Sequence, residues 1–366
     1  MTDFRATRVE VDLGAIRDNV GVLKPDGVEL MAVVKADGYG HGAPEVARAA
    51  LEAGAAWIGV ALVEEGLVLR SAGVEAPVLV LSELPAGSER AAIDAGLTPP
   101  LYTDAALGRL VDAAGGRPLG VHVKVDTGMH RGGVWPPEDA TGFVQRVLAA
   151  GLRLDGFWTH LAVSAEDPVE TALQLDRFDA AVGRLRAAGL DPGLLHAANT
   201  GAVILHPRSH LSLVRPGIGI YGLPPAPGIG EGLGLRPALA WRSAVVNVKP
   251  LTSGERISYG LHYELDRDAS VATVPVGYAD GYPRSLSSRA DVLVRGRRRR
   301  IAGNVTMDQL MVDCGDGPVE PGDEVVLIGT QGDETIEAEE LAGLAGTIGY
   351  EVVARIGRRV PRVYAG

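Results

Sequence analysis

The first two thirds of the chain alternate short apolar runs with amphipathic stretches. The apolar runs predict eight strands, at residues 30–34, 57–61, 78–81, 97–102, 121–125, 156–162, 194–198 and 212–218. Helical patterns lie between them, such as 43–54 and 169–189, and the second ends at Gly189, a usual helix stop signal. Eight strands separated by helices over roughly 200 residues predict an α/β fold with a parallel (β/α)8 barrel of the TIM type.

The pattern changes after about residue 225. The segment 223–237 is rich in Gly and Pro and is typical of a linker. Beyond it, alternating strands with few helices predict a β-rich domain. We therefore expect an N-terminal strand within 1–8 that pairs with the C-terminal domain, a barrel at 9–228, and a β-rich C-terminal domain at 229–366.

Composition excludes several function classes. The net charge of −11 disfavours nucleic acid as a partner, and the basic run RGRRRR at 295–300 is predicted to be a solvated hairpin tip between two apolar strands. No apolar run approaches the ~20 residues that span a bilayer, so no membrane partner is expected. The single cysteine, Cys314, rules out an internal disulfide and is typical of a reducing compartment, which predicts a cytoplasmic location.

Polar residues follow several predicted strands at their C-terminal ends, which form the active-site face of such barrels. These residues are Lys35, Asp126, His160, Asn199 and Arg215. Helix capping is an equal alternative for Asp126 and Asn199, but it explains a lysine or an arginine less well.

A lysine at a strand end, with a glycine-rich turn after the last barrel strand, suggests a Schiff base with a phosphorylated carbonyl cofactor such as pyridoxal 5'-phosphate (PLP). An ordinary ion-paired lysine is the alternative. The segment GIGIYG at 217–222 matches G-x-G-x-x-G, but the LPPAPG that follows cannot open a helix, so a dinucleotide site is rejected. No metal-ligand spacing is present, and no metal site is expected.

The stretch AVVKADGYGHG at 32–42 resembles the PLP-lysine motif of alanine racemases. Further matches occur in the expected order and cover essentially the whole chain: KVDTGMHRGG (124–133), WTHLA (158–162), HAANT (196–200), LVRPGIGIYGL (213–223), ISYG (257–260), VGYADGYPR (276–284), NVTMDQLMVD (304–313) and TIGYEV (347–352). The resemblance implies a homodimer with active sites shared across the interface. Its implied reaction is PLP-dependent interconversion of L- and D-alanine, which supplies D-alanine for peptidoglycan.

The resemblance also implies a two-base mechanism. Lys35 would hold PLP and handle the proton of the D-isomer, and Tyr259 of the partner subunit would handle that of the L-isomer from the opposite face. His160 would contact that tyrosine and link to Arg215. Arg215 would face the pyridine nitrogen and, because it stays protonated, would donate to it without surrendering a proton. His196 would support the same arginine.

The remaining implied roles concern the phosphate, the substrate and the entrance. The phosphate would be held by Tyr39, Thr200 (usually a serine in the family), Gly217, Ile218 and Tyr350, with Asn199 beside them. The substrate carboxylate would be held by Arg131, Met307 and Asp308, with Lys124 as a possible carbamylation site. Tyr278 and Arg284 would line the entryway, and Tyr259 and Tyr350 would leave room for little more than a methyl group. His122 and His130 are expected to have no catalytic role.

Other functions remain open on the sequence. One alternative keeps PLP but changes the reaction, to a broad-specificity amino-acid racemase or a decarboxylase; Arg215 and the retained tyrosines speak against both. Another is a non-catalytic PLP-binding protein, which the β-rich domain carrying Tyr259 disfavours. A barrel enzyme without PLP is the third.

Overall fold

The computed structural model describes residues 5–366 and consists of two compact units. The barrel unit comprises residues 14–38 and 43–237. The β unit comprises residues 1–13, 39–42 and 238–366, of which those from residue 5 onward are described. The predicted strand at 1–8 therefore lies partly outside the described residues, and the predicted domain boundaries stay a prediction.

Parallel strands form the core of the barrel unit. After β1 (Arg8–Asp12) of the β unit, the strands are β2 (Glu29–Val33), β3 (Trp57–Val60), β4 (Val78–Val80), β5 (Leu97–Thr98), β6 (Pro100–Leu101), β7 (Gly120–Lys124), β8 (Arg153–Trp158), β9 (Leu194–His196) and β10 (Leu213–Val214). They pair in parallel in the orders β10-β2-β3-β4-β5 and β6-β7-β8-β9. Alternation of these strands with helices confirms the predicted barrel class.

Two further connections make these segments a ring of eight strands, one between β5 and β6 and one between β9 and β10. β5 and β6 are two halves of the predicted strand 97–102, and they lie on either side of Pro99, which has no N–H to donate to a ladder. β9 and β10 are joined by backbone hydrogen bonds from Ser212 to Leu195 (3.0 Å) and from Arg215 to Ala198 (2.9 Å). Lys35 and Arg215 therefore follow neighbouring strands, because β2 pairs with β10.

Helices follow most of the barrel strands. They are α1 (Leu13–Leu23), α2 (Lys35–Tyr39), α3 (Ala43–Glu52), α4 (Val63–Ser71), α5 (Glu89–Asp94), α6 (Asp104–Ala114), α7 (Ala140–Ala149), α8 (Pro168–Ala187) and α9 (Thr200–Leu205). α8 begins at Pro168 after Asp167, whose carboxylate accepts from the Val169 and Glu170 amides at 2.9 and 3.0 Å. Within residues 5–366, no helix combines the length and apolarity needed to cross a membrane.

The β unit is dominated by one large sheet. Its further elements are β11 (Leu239–Ala244), β12 (Asn247–Leu251), β13 (Arg256–Ile257), β14 (Tyr263–Glu264), β15 (Ala269–Val274), β16 (Asp291–Val294), β17 (Arg297–Ile301), β18 (Leu310–Asp313), β19 (Glu324–Gln331), β20 (Glu334–Ile336), α10 (Ala338–Ala345), α11 (Gly349–Ala354) and β21 (Arg362–Ala365). The sheet order is β12-β15-β18-β17-β16-β19-β11-β1-β21, with β20 on β19 and β13-β14 as a separate hairpin. The early strand β1 is thus part of the β-rich unit.

The basic run RGRRRR differs from its prediction as a hairpin tip. Only Arg295 and Gly296 form the turn, with φ of 51° and 69°, and the four arginines that follow belong to β17. β17 pairs with β16 and β18 on its two sides. Arg298 forms ion pairs with Glu334 and Glu340 at 3.0 and 2.6 Å. Backbone pairing and these carboxylates therefore stabilise a strand where charge alone indicated a loop.

Candidate active site

Lys35 lies at the C-terminal end of β2 and is followed by strained backbone. Ala36 and Asp37 have φ/ψ of 53°/49°, Gly38 has 62°/43°, and Tyr39 has φ of 51°. These are left-handed helical values, so α2 is a left-handed turn. For residues other than glycine this conformation costs roughly 1–2 kcal/mol each. Such strain persists only where surrounding contacts hold it, and it is commonest at functional sites.

Three hydrogen bonds hold this left-handed turn in place. The Gly38 amide donates to the Val34 carbonyl at 2.8 Å. The Ala36 amide donates to a carboxylate oxygen of Glu65 at 2.6 Å. The Asp37 carboxylate accepts from the Ala43 amide at 3.0 Å, where α3 begins. These contacts with Val34, Glu65 and Ala43 therefore fix the backbone that follows Lys35.

Basic groups cluster at this end of the barrel. Burial, and then the charge of Arg131, lower the pKa of Lys35. Burial, with Arg131 and Arg215, lowers the pKa of Lys124 to about 8. Burial and the same cations hold the pKa of His160 well below its usual 6.5. Because the charge of Arg131 affects all three groups, they lie around one region, and that region suits an anionic ligand.

Arg215 is buried among backbone carbonyls and histidines. Its Nη1 lies 2.9 Å from Nδ1 of His196, and its Nη2 donates to the Thr159 and Ala197 carbonyls at 2.8 and 3.1 Å. Nδ1 of His160 lies 3.4 Å from the same Nη2. Burial lowers the pKa of Arg215 to about 9, so it stays cationic at neutral pH. Its remaining N–H groups suit an acceptor such as an unprotonated ring nitrogen.

His122 extends the Arg215–His196 contact. Since an arginine only donates, His196 accepts at Nδ1 and carries its proton on Nε2, which lies 2.9 Å from Nδ1 of His122. His122 is fully buried, and burial lowers its pKa to about 4. A two-residue spacing places His122 and Lys124 on the same face of β7. This two-residue spacing is the sequence signal that places His122 beside the predicted site residue Lys124.

Trp158 packs beneath the basic groups. Its ring is stacked on His196 at 5.4 Å with an interplanar angle of 9°. Lys124 Nζ and Arg215 Cζ each lie 4.9 Å from its ring centre. Cation–π attraction of this kind stabilises buried charge, so Trp158 is a second supporting residue that the predicted set did not include.

Thr200 and the turn after β10 lie in direct contact. The Thr200 hydroxyl oxygen accepts from the Gly217 and Gly219 amides at 3.0 and 3.3 Å, which leaves the hydroxyl hydrogen to point elsewhere. Ile218 begins the 3-10 turn Ile218–Tyr221, so its N–H has no acceptor within that turn. A Cβ at Gly219 would lie 2.7 Å from Thr200, so only glycine permits this approach.

Asn199 serves the backbone around Thr200. Its Oδ1 caps α9 by accepting from the Ala202 amide at 3.1 Å, and it also accepts from the Ser164 hydroxyl at 2.5 Å. Its Nδ2 donates to the Leu161 carbonyl at 3.2 Å. The side chain thereby fixes the start of α9 against the loop that follows β8.

Arg131 lies in a tight loop that Asp126 organises. The Asp126 carboxylate accepts from the Gly128 and His130 amides at 2.9 and 3.1 Å. Gly133 has φ of 141°, and a Cβ there would lie 2.5 Å from the Asp126 nitrogen. Arg131 is exposed in this loop, yet its charge lowers the pKa of Lys35 and of Lys124. Asp126 thus shapes its own loop and caps no described helix.

The β unit brings together a second group of predicted residues. The rings of Tyr39 and Tyr350 lie 6.2 Å apart at an interplanar angle of 54°. The Gly40 carbonyl accepts from Arg362 at 2.9 Å. A Cβ at Gly40 would lie 2.2 Å from the Val353 carbonyl oxygen, so this close approach requires glycine.

Tyr259, Tyr278 and Met307 lie on loops joined by hydrogen bonds. Asn304 Nδ2 donates to the Tyr259 carbonyl at 2.6 Å, and the Tyr278 amide donates to the Thr306 carbonyl at 3.0 Å. Tyr259 is 76 % exposed, Met307 is 53 % exposed and Tyr278 is 43 % exposed. Ser258 precedes Tyr259 with φ of 68°, so this candidate base also adjoins strained backbone.

Asp308 follows Met307 and forms an ion pair with Arg359. Arg359 donates to Asp308 at 2.8 Å and pairs at 2.9 Å with Asp280, which is fully buried. Arg284 begins the 3-10 turn Arg284–Leu286. In the described part of the chain no side-chain hydrogen bond joins Arg284 to these loops. Nor does that part hold a group of three His, Cys, Asp or Glu residues suited to a metal ion.

Comparison with protein families accounts for most of the chain. The model described as "Alanine racemase, N-terminal domain" matches residues 11–225, and that described as "Alanine racemase, C-terminal domain" matches residues 238–364. The alanine racemase of Symbiobacterium thermophilum is 52 % identical over 99 % of this chain and 98 % of its own length. That of Thermobifida fusca is 44 % identical over 100 % and 99 %.

Solved structures agree with the sequence comparison. The alanine racemase from D-cycloserine-producing Streptomyces lavendulae superposes with a TM-score of 0.94 at 41 % identity, over 100 % of this chain and 98 % of that one. The Bacillus anthracis alanine racemase with bound L-Ala-P gives a TM-score of 0.95 at 37 % identity, over 100 % and 96 %. This chain belongs to the alanine racemase family.

Proposed function

We propose that this chain interconverts L- and D-alanine by a PLP-dependent mechanism with two bases, Lys35 and Tyr259. Membership of the alanine racemase family supports the reaction and the substrate. The observation that carries the proposal is Lys35 itself, because burial and Arg131 lower the pKa of its amine at the end of a barrel strand. A lysine of lowered pKa is suited both to covalent capture of a carbonyl and to proton transfer.

The residues of the barrel unit fit PLP. Lys35 would supply the amine for the aldehyde, and the remaining N–H groups of Arg215 would donate to the pyridine nitrogen. The Thr200 hydroxyl and the N–H of Ile218 suit the phosphate, and Gly217 is fixed beside them by its bond to Thr200. When bound, PLP supplies an electron sink that makes the substrate Cα proton acidic.

Arg215 determines which PLP chemistry is favoured. It keeps its proton at neutral pH because burial lowers its pKa only to about 9. An arginine therefore donates to a ring nitrogen without protonating it, which limits delocalisation of charge from Cα. Limited delocalisation favours prompt return of a proton to Cα over transamination, which is the outcome a racemase requires.

The two bases act on opposite faces of the substrate. Lys35 takes or returns the proton of D-alanine, and Tyr259 of the partner subunit takes or returns that of L-alanine. A phenol has an ordinary pKa of ~10 and needs a cationic environment to act near neutrality. We assign the positive charge to Arg215, and we assign the hydrogen bond to the phenol to His160, which is neutral and contacts Arg215.

Substrate selection follows from the remaining residues. Arg131 and the backbone N–H of Met307 of the partner subunit would bind the alanine carboxylate, and Asp308 of the partner subunit would complete that site. Lys124 is a candidate for carbamylation, supported by a pKa lowered to about 8 that leaves much of the amine neutral near that pH. Tyr39, Tyr350 and Asn199 would complete the phosphate site, and Tyr278 and Arg284 would line the entrance. His196 would support Arg215, which it contacts at 2.9 Å.

We propose a homodimer with shared active sites. The loops that carry Tyr259, Leu261, Tyr278 and Met307 expose these large side chains in a single protomer, as expected of a surface that a second copy covers. The proposed role is supply of D-alanine for peptidoglycan in the cytoplasm. Use of a single cysteine, Cys314, which is buried, is consistent with a reducing compartment.

Chiral analysis of alanine tests the proposed function. Purified protein loaded with PLP is incubated with L-alanine, and we expect D-alanine to accumulate to an equal mixture. Absence of D-alanine while PLP is bound would refute the proposal. A panel of other L-amino acids, assayed for the D-isomer and for carbon dioxide, separates a broad-specificity racemase and a decarboxylase from this reaction.

A further inference from the structure

Glu65, the third residue of α4, makes an unusual set of contacts. Its Oε2 accepts from the Ala61 and Leu62 amides at 2.8 and 3.2 Å, which is ordinary capping at the start of a helix. Its Oε1 accepts from the Ala36 amide at 2.6 Å, across 29 residues of sequence. Capping of α4 does not require this last bond. The same carboxylate therefore joins the loop after β3 to the residue that follows Lys35.

The Ala36 amide belongs to the same peptide group as the Lys35 carbonyl. A hydrogen bond to that amide fixes the orientation of the peptide plane, and so fixes ψ of Lys35. It also holds Ala36 in a left-handed conformation that alanine disfavours. The Gly38 amide is bound by Val34 within the same segment, so of these two amides only that of Ala36 is tied to a distant element.

We propose that Glu65 is a positioning residue whose carboxylate holds the left-handed turn and thereby aims the Lys35 amine. The inference rests on the proposed function only for what the amine then does, which is to condense with the aldehyde of PLP and release water. The effect of Glu65 on the turn itself is a property of the chain.

An effect through charge alone predicts the opposite result. The negative charge of Glu65 raises the pKa of Lys35, against the larger effects of burial and Arg131. If only this charge mattered, Glu65→Gln would leave more of the amine neutral and would speed capture of PLP. If the carboxylate holds the turn, the same substitution slows capture, because glutamine can accept from fewer of the three amides.

Hydrogen exchange tests the contact without any cofactor. Full-length Glu65→Gln and Glu65→Ala chains are compared with Glu64→Gln, which changes the exposed neighbouring carboxylate. We expect amide exchange in the segment around Ala36 to accelerate about tenfold to a hundredfold in the Glu65 variants, since a hydrogen bond to a charged group is lost. Exchange unchanged from that of Glu64→Gln would overturn the proposal.

Capture of PLP supplies the second arm, with a rescue variant. The rate is followed by the visible absorbance of the covalently bound cofactor, and we expect about a tenfold decrease in Glu65→Gln. Adding Ala36→Gly to the Glu65→Gln chain should restore at least half of the lost rate of PLP capture, because glycine adopts positive φ without a steric cost. Faster capture, or no restoration by glycine, would contradict the proposal. If no variant and not even the unaltered chain captured PLP, the proposed function would fail, and hydrogen exchange alone would decide the role of Glu65.

Discussion

At the scale of single residues, the protonation states around Arg215 follow from one rule. A guanidinium only donates, so His196 accepts from it at Nδ1. His196 therefore carries its proton on Nε2 and donates from there to Nδ1 of His122. Both histidines are neutral, in keeping with burial that lowers the pKa of each. His122 was expected to have no catalytic role, and its contact with His196 makes it a supporting residue for Arg215.

Replacing His122 tests the hydrogen bonds that run from Arg215 through His196 to His122. In His122→Leu the buried Nε2–H of His196 loses its acceptor, and we expect a loss of about 1–3 kcal/mol in the free energy of unfolding. His122→Gln offers a carbonyl oxygen and should lose less. Urea denaturation of both variants measures the difference, and equal stability of the leucine variant and the unaltered chain would contradict the assigned tautomers.

Lys124 gives the stability of the chain a dependence on pH. Its pKa falls from the usual 10.5 to about 8 on folding, so between these values the unfolded chain binds more protons than the folded one. Stability should therefore rise as the pH increases from 8 to 10.5, by about 1–3 kcal/mol for this group.

The pH dependence is measured by urea denaturation in buffer free of bicarbonate, without PLP. Lys124→Met should be flatter across the same interval, because the titrating amine is gone. Lys249→Met, at an exposed position of β12, is the matched control and should keep the slope of the unaltered chain. A slope that Lys124→Met leaves unchanged would assign the effect to other groups.

At the scale of elements, the regular parts of the barrel could be predicted and the left-handed turn could not. A continuous apolar run identifies β2, which is buried on both faces. Apolar periodicity identifies the helix that ends before Gly189, because this helix buries one stripe. Gly38 and Gly40 indicated a tight turn, but left-handed φ at Ala36 and Asp37 depends on contacts such as that with Glu65. The local sequence around Ala36 does not indicate a hydrogen bond to Glu65, which lies 29 residues away.

The strand of arginines shows the same limit in the β unit. High charge favours a loop at 295–300, yet pairing with β16 and β18 makes a strand of Arg297–Ile301. The carboxylates that stabilise Arg298 come from later segments, at Glu334 and Glu340. Tertiary neighbours therefore override the local pattern in both units.

Gly219 tests how closely the turn after β10 approaches Thr200. In Gly219→Ala the new Cβ would lie 2.7 Å from Thr200 and 2.8 Å from Leu23. We expect a loss of about 1–3 kcal/mol in stability and about tenfold weaker binding of PLP, because the phosphate-binding turn must shift. Gly183→Ala, inside α8 with nothing within 4 Å, is the control and should stabilise the chain slightly. PLP affinity unchanged in Gly219→Ala would remove this turn from the cofactor site.

At the scale of the whole molecule, the sequence motifs indicated the reaction more fully than the geometry of a single chain does. Lys35, Arg215 and Thr200 belong to one compact unit, so their grouping follows from the order of the barrel strands. Tyr259 belongs to the other unit and is largely exposed. The proposed place of Tyr259 opposite Lys35 would require a second copy of the chain, which periodicity within one sequence cannot report.

The exposed loops of the β unit predict a dimer that a single substitution weakens. Leu261 lies two residues after Tyr259 and is 49 % exposed. Leu261→Glu should weaken self-association about tenfold to a hundredfold, since a charge would be buried in the interface. Val169→Glu, on the exposed face of α8, is the control. Sedimentation equilibrium measures both, and a Leu261→Glu dimer as tight as that of the control would place the interface elsewhere.

In the proposed mechanism two bases, one on each face of the substrate, share the reaction. This mechanism is tested most directly by incubating the PLP-loaded Tyr259→Phe variant in D2O with each enantiomer and measuring deuterium at Cα together with chirality. We predict that D-alanine exchanges its Cα hydrogen through Lys35 but stays D-alanine, whereas L-alanine neither exchanges nor racemises. Racemisation by this variant at the rate of the unaltered chain, or exchange of L-alanine equal to that of D-alanine, would contradict the two-base mechanism.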